Sequence, residues 1–225
     1  MFFLPYAFET LLDRRPWANW AIIALCVAMT FALWMGSFSE SEIENLVLQS
    51  WQPSQMIGSL FLHGDILHLV GNMIFLWVFG NAICSNTNNW LYPLLYFSCG
   101  LAAGAVHLLV DGGPAIGASG AINGIVGLVL VIYPVNRVSV FWWFMIRGGT
   151  FSVRSYVLIV IWLAFDIWGA MTGGGNIAYW DHLGGLAFGI GLGFLCLRFR
   201  IIETTEWDNE TLPELLWPNR EKERI

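Results

Sequence analysis

The chain of 225 residues suits one domain with at most a short tail beside it. Apolar residues make up 57% and charged residues 12%. That is about half the charged share of an ordinary globular domain, which excludes a water-soluble fold and indicates an integral membrane protein. The net charge of −6 says little about partners, because acids and bases are segregated along the chain, and nothing points to nucleic acid.

Residues 1–17 are mixed and amphipathic, with Arg14 and Arg15 just ahead of the first apolar run. That run, about Trp20–Trp34, lacks a small-residue cleavage site after it and reads as a retained span. A polar stretch, Ser37–Gln55, carries Glu40, Glu42 and Glu44 and no base. The second span is expected to begin near Ile57–Leu69 and run to about Ile83, with His63, Asp65 and His68 in its first half. The third covers about Leu91–Val110 and ends at the turn sequence Asp111-Gly112-Gly113-Pro114. The fourth runs from Ile116 or Gly117 to Tyr133-Pro134.

Val138–Ile146 is apolar but too short to cross a bilayer. Its flanking Arg137 and Arg147, with Trp142 and Trp143, suit an interfacial position. The fifth span, about Tyr156–Met171, contains one acid, Asp166. Gly173-Gly174-Gly175-Asn176 reads as a flexible turn, and the sixth span runs from about Ala178 to Leu197. The polar tail from Arg198 reads as a peripheral helix or as disordered. Six spans result, each near the roughly 20 residues a bilayer requires. The division is a cytoplasmic N-terminal segment (1–18), a six-span domain (19–198) and a cytoplasmic C-terminal tail (199–225). No long internal repeat is visible, against the repeat-built transporter folds. The four cysteines, Cys26, Cys84, Cys99 and Cys196, have no paired spacing and read as packing residues.

Orientation follows from the bases. With the N-terminus in the cytoplasm, all ten Lys and Arg residues fall on the cytoplasmic side, as the positive-inside rule prefers. The starts of spans two, four and six then share the outer level. Those starts hold His63 and His68, Ser119, and His182.

Ser119 lies between Gly117 and Gly120, where the missing side chains let a substrate backbone come close. Gly120, Gly124 and Gly127 follow at helical spacing, and His182 is followed by Gly185, Gly189 and Gly193 on one face. Docking of these two faces brings Ser119 and His182 within reach, and a histidine that takes the serine proton creates a nucleophile. His68 and Asn72, one helical turn apart, can donate to an oxyanion beside the serine N–H. The bland alternatives are interhelical packing for the glycines and hydrogen bonds that hold span two for His68 and Asn72. His107, near the outer end of span three, reads as an interfacial or packing residue.

The sequences FLHGDILHLVGNM at Phe61–Met73, GASG at Gly117–Gly120 and HLGGLAFG at His182–Gly189 together resemble the rhomboid intramembrane serine proteases of the bacterial six-span type. The resemblance covers roughly Leu46 to Arg198. It implies an all-α, polytopic six-helix bundle in a lipid bilayer, in a bacterial inner membrane, with a water-filled cavity that opens outward. It also implies a Ser–His dyad without a catalytic acid, in which Ser119 is nucleophile and His182 general base. His68, Asn72 and Gly117 would form the oxyanion and substrate-binding side. Substrates would be single-span membrane proteins, cut in or near helices that unwind at small residues. No cofactor or metal is implied, and the oligomeric state stays open.

Three positions depart from the family pattern. Ser54-Gln55 stands where many relatives have Trp-Arg, Asn123 stands where an aromatic ring often stacks on the histidine, and Asp181 replaces a small residue. Asp181 reads as a solvated acid at the membrane surface, about 100° around the helix from His182. Two other classes compete. One is a rhomboid-like protein that binds membrane clients without cutting them, which should lack the dyad. The other is a channel or metal transporter using His63, Asp65, His68 and His182, which leaves Ser119 and its glycines unexplained.

Overall fold

The computed structural model describes residues 2–10, 14–173, 177–202, 204, 208 and 210–218. The expected turn at 174–176 and the last bases, Arg220, Lys222 and Arg224, lie outside the described residues. Strand β1 (Phe2–Phe8) precedes helix α1 (Trp17–Trp34). Two short helices follow, α2 (Glu40–Glu44), with a Ser39–Glu42 capping box, and α3 (Pro53–Gly58), which runs into a 3₁₀ turn over Ser59–Phe61. Helix α4 (Ile66–Phe75) continues through a π-helical turn at Leu76–Gly80 into α5 (Asn81–Asn86). Then come α6 (Leu91–Val110), α7 (Ser119–Ile132), β2 (Arg137–Phe144), β3 (Arg147–Arg154), α8 (Ser155–Thr172), α9 (Tyr179–Arg198) and α10 (Leu212–Leu216).

Five of these rods are long and apolar enough to cross a membrane: α1, the continuous α4–α5 helix, α6, α8 and α9. They expose Trp90, Leu94, Leu109, Phe165 and Trp168, side chains that only a lipid environment accommodates in such density. The chain is a multi-pass membrane protein. The expected fourth span is α7, an apolar helix of only 14 residues. It sits at the centre, with Ile122, Ile125, Leu128, Val129 and Ile132 buried under its neighbours.

The second span begins later than the hydropathy suggests. The chain is broken at His63-Gly64-Asp65, and α4 starts only at Ile66, with the Asp65 carboxylate accepting from the His68 N–H at 2.9 Å. An aspartate N-cap satisfies one of the unpaired first-turn donors, which fixes the helix start there. His63 therefore belongs to the turn before the helix. Farther down, buried Asn19 donates to the Leu76 carbonyl and to Asn81 while accepting from the Tyr92 hydroxyl at 2.6 Å. This satisfies a polar side chain beside the π turn, where water is absent.

The helical body also carries a small antiparallel sheet that the sequence pattern does not announce. Its order is β1-β2-β3, with Phe8 paired to Val138 and Arg137 to Arg154. The apolar stretch expected at an interface is β2 and its hairpin tip, where Trp143, Phe144, Met145 and Ile146 stand exposed. Phe8 packs its ring against Phe79 and Tyr133, fixing the N-terminal strand to the bundle. In the tail, α10 starts at a Thr211–Glu214 capping box. All four cysteines are buried and free.

Candidate active site

The close contact of α7 with α9 is built from glycines. Gly185 presses on the Gly120 carbonyl and Gly189 on the Gly124 carbonyl, so closely that a β-carbon at either position would collide with backbone. Such approach allows Cα–H···O contacts and dense packing, the usual source of helix association in lipid. A β-carbon on Gly120 would meet the Asp181 carboxylate on one side, and the same residue's carbonyl meets Gly185 on the other. Gly120 thus occupies the space between Asp181 and Gly185. Ser119 and His182, the neighbours of Gly120 and Asp181, belong to this same turn of the interface.

The approach to Ser119 is pinned residue by residue. Ala115 exchanges both backbone hydrogen bonds with Leu48, and the Gly117 N–H donates to the Ser59 carbonyl at 2.9 Å. The Ala118 N–H donates to His63 Nε2 in a long contact of 3.5 Å. Helix α7 has no side-chain N-cap, so the first-turn N–H groups, that of Ser119 included, lack intrahelical acceptors. These groups and the helix dipole favour negative charge at this end. Among the described residues, Ser119 Oγ makes no hydrogen bond, to His182 or to any other group.

His68 and Gly117 meet here. Gly117 has a φ of +130°, and a β-carbon on it would lie 2.6 Å from His68 Nε2 and 3.7 Å from Ser119 Oγ. Both the conformation and the space demand glycine. His68 is half-buried and within electrostatic reach of His182. Asn72 is only 8% exposed, and its Nδ2 is a buried donor with no partner among the described residues. An unpaired buried donor is costly.

His182 has a partner that the sequence reading passed over. Its Nδ1 lies 3.0 Å from Asp166 Oδ1, with the two side chains 16% and 17% exposed. The resemblance implies no such acid. The available signal was an ionisable residue inside an otherwise uncharged membrane helix, which is a functional candidate by default. Tyr179 sets its ring edge-on to His182 at 6.3 Å between centroids. An aromatic neighbour therefore comes from the histidine's own helix. Asn123, at the position where a stacking ring was sought, instead donates to the Ser119 carbonyl at 3.0 Å.

Asp181 corrects an expectation. It is no solvated surface acid: it is 8% exposed and wedged against Gly120 of α7 and the neighbourhood of Ala103 on α6. Its carboxylate lies in the three-helix junction rather than in water. His107 is a packing residue, its Nε2 donating to the Gly113 carbonyl at 2.8 Å.

His63 is a residue whose role was missed. It is fully buried, stacked edge-on to His68 at 5.0 Å. With Nε2 accepting from Ala118, its Nδ1 donates to Thr30 Oγ1 at 3.1 Å, and Thr30 in turn donates to the Phe61 carbonyl. Both ring nitrogens are committed, so His63 supports the serine loop and is not free to bind a metal. Among the described residues, no group of three or more His, Cys, Asp or Glu side chains is arranged to hold a metal ion.

Residues 50–199 match the Rhomboid domain family. The chain belongs to the rhomboid family. It is 30% identical over 142 residues to Rhomboid protein 1, mitochondrial, of Saccharomyces cerevisiae, covering 60% of this chain and 39% of that protein. It is 29% identical over 173 residues to the human Presenilin-associated rhomboid-like protein, mitochondrial, covering 75% and 40%. With Rhomboid protease GluP of Bacillus subtilis the identity is 27% over 185 residues, covering 79% and 34%. The aligned part spans about two-fifths of the mitochondrial relatives' length. The matched 50–199 contains the site residues apart from Thr30, which supports it from α1, and Leu48, which pairs with Ala115.

Proposed function

We propose that this rhomboid is an intramembrane serine endopeptidase that hydrolyses peptide bonds in or near the membrane spans of single-span proteins. The observation that carries the reading is the glycine register of α7 on α9, with Gly120 held between Asp181 and Gly185. Ser119 and His182 share that turn, and the imidazole's other nitrogen is already occupied.

In this mechanism Ser119 Oγ attacks the carbonyl carbon of the scissile bond while His182 Nε2 takes its proton. The tetrahedral oxyanion is met by the Ser119 N–H, the His68 ring and Asn72 Nδ2. Collapse breaks the C–N bond, and His182 returns the proton to the leaving amine. Water then attacks the acyl-serine with His182 as base, releasing the new carboxylate and restoring Ser119. Helix α7, with 14 residues, spans about 21 Å, short of the roughly 30 Å hydrocarbon core. Such a length supports a nucleophile below the membrane surface. The protease domain would be 19–198, in a bacterial inner membrane, with both termini cytoplasmic and the site open to the outer side.

Purified protein in detergent, incubated with a fluorophosphonate probe and a panel of single-span substrates, tests the reading. Labelling at Ser119 and cleavage should both vanish in Ser119→Ala and His182→Ala, with the proteins still folded and inserted. A wild-type protein that binds the substrates but neither labels nor cuts would establish the non-proteolytic client-binding alternative instead.

A further inference from the structure

Asp166 is the one charged residue of helix α8, and a carboxylate in such a membrane helix is retained where it has a partner. Its partner is His182 Nδ1, 3.0 Å from Oδ1. The pairing is held in register one turn away, where the Tyr179 ring of α9 fills the space above Gly169 of α8. Asp166 and Gly169 on one helix thus face His182 and Tyr179 on the other, running antiparallel. The same Tyr179 ring stands edge-on to the imidazole.

We propose that Asp166 is a positioning residue for His182, so that the Ser119–His182 dyad is oriented by a carboxylate instead of being unassisted. The inference rests on the reading of Ser119 and His182 as nucleophile and base. A carboxylate accepts and cannot donate while ionised, so the imidazole must present its proton at Nδ1. The neutral ring then has its lone pair at Nε2, the nitrogen that receives the serine proton. Asp166 also faces the imidazolium formed after that transfer. Asp181, although adjacent to His182 in sequence, lies against Gly120 and serves a different contact.

Asp166→Asn separates orientation from structure. An amide fills the same space and retains a hydrogen bond, but it can donate to Nδ1 and so stabilise the wrong tautomer. The expected result is a kcat about 10²–10⁴-fold lower, with KM within about two-fold and an unchanged melting temperature. The rate of fluorophosphonate labelling at Ser119 should fall in parallel, and Asp166→Glu should recover part of it. Nitrogen-15 spectra of histidine-labelled protein at alkaline pH, assigned by subtracting His182→Gln, should show Nδ1–H for wild type and Nε2–H for Asp166→Asn. A variant with full kcat and an unchanged tautomer would reduce Asp166 to a tie between α8 and α9. Should wild type prove inactive, the protease reading fails, while the tautomer still decides whether Asp166 orients the ring.

Discussion

Gly189 of α9 rests directly on the carbonyl of Gly124 in α7, with no room for a side chain between the two backbones. This single contact, repeated one turn earlier by Gly185 on Gly120, sets the depth at which α9 meets α7. Gly191, on the same helix, has nothing near the place a β-carbon would occupy. Gly189→Ala should therefore force the helices apart, destabilising by about 1–3 kcal/mol, as overpacked interfaces do, and should lower turnover. Gly191→Ala should be neutral or slightly stabilising, because alanine restricts the unfolded chain and favours helix. Thermal melting in one detergent, with turnover beside it, checks both; equal effects would remove the interface argument.

Much of this was legible because glycine spacing and helical periodicity are local signals. Ser119, His182, His68 and Asn72 stand out at helix starts and one-turn intervals. Asp166 does not, since its partner lies 16 residues away across a turn and only the pairing of Gly169 with Tyr179 fixes the register. The break before α4 is hidden for another reason. Hydropathy runs smoothly through His63-Gly64-Asp65, and the cap at Asp65 outweighs it. The sheet escaped notice because β1 lacks alternation and meets β2 about 130 residues later, a pairing no local pattern carries. Helix α7 reads as a full span because burial by protein and burial by lipid demand the same apolar residues.

In the proposed mechanism His68 and Asn72 supply donors to the oxyanion, and Gly117 leaves the room His68 occupies. His68→Ala and Asn72→Ala should each lower kcat by about 10²–10³-fold, the common cost of one oxyanion donor. Gly117→Ala should also slow cleavage, because φ is +130° and the new methyl would displace the imidazole. Steady-state kinetics on one substrate is the measurement. Unchanged rates in both alanine variants would leave His68 and Asn72 as packing residues.

The segregation of bases predicts which face meets the cytoplasm. On a cysteine-free background, a cysteine replacing Ser39, the exposed cap residue of α2, should react with an impermeant reagent in intact cells. One replacing Thr204, exposed after α9, should react only after permeabilisation. The inverse pattern would turn the site toward the cytoplasm and overturn the orientation drawn from the positive-inside rule.

Asp181 gives the most discriminating stability prediction, because burial has changed what its mutation should do. A solvated acid could be truncated freely, but this carboxylate fills the junction where Gly120 of α7 and Ala103 of α6 meet α9. It also lies at the first turn of a helix that lacks a side-chain cap of its own, where a negative group is favourable by about 0.3–1 kcal/mol. Asp181→Asn keeps the volume and a hydrogen-bonding oxygen, so it should lose only about that amount and keep most activity. Asp181→Ala removes both the filling atoms and the acceptor. A lost cap costs about 0.5–2 kcal/mol, and the residual void adds to it. The melting temperature should therefore fall clearly for alanine and little for asparagine, with turnover following stability. Asp166→Asn should show the reverse, an intact melt and a collapsed kcat, so the two acids are told apart by one pair of measurements. If Asp181→Ala melted like wild type, the wedge between the three helices would not be what holds the first turn of α9 against α7.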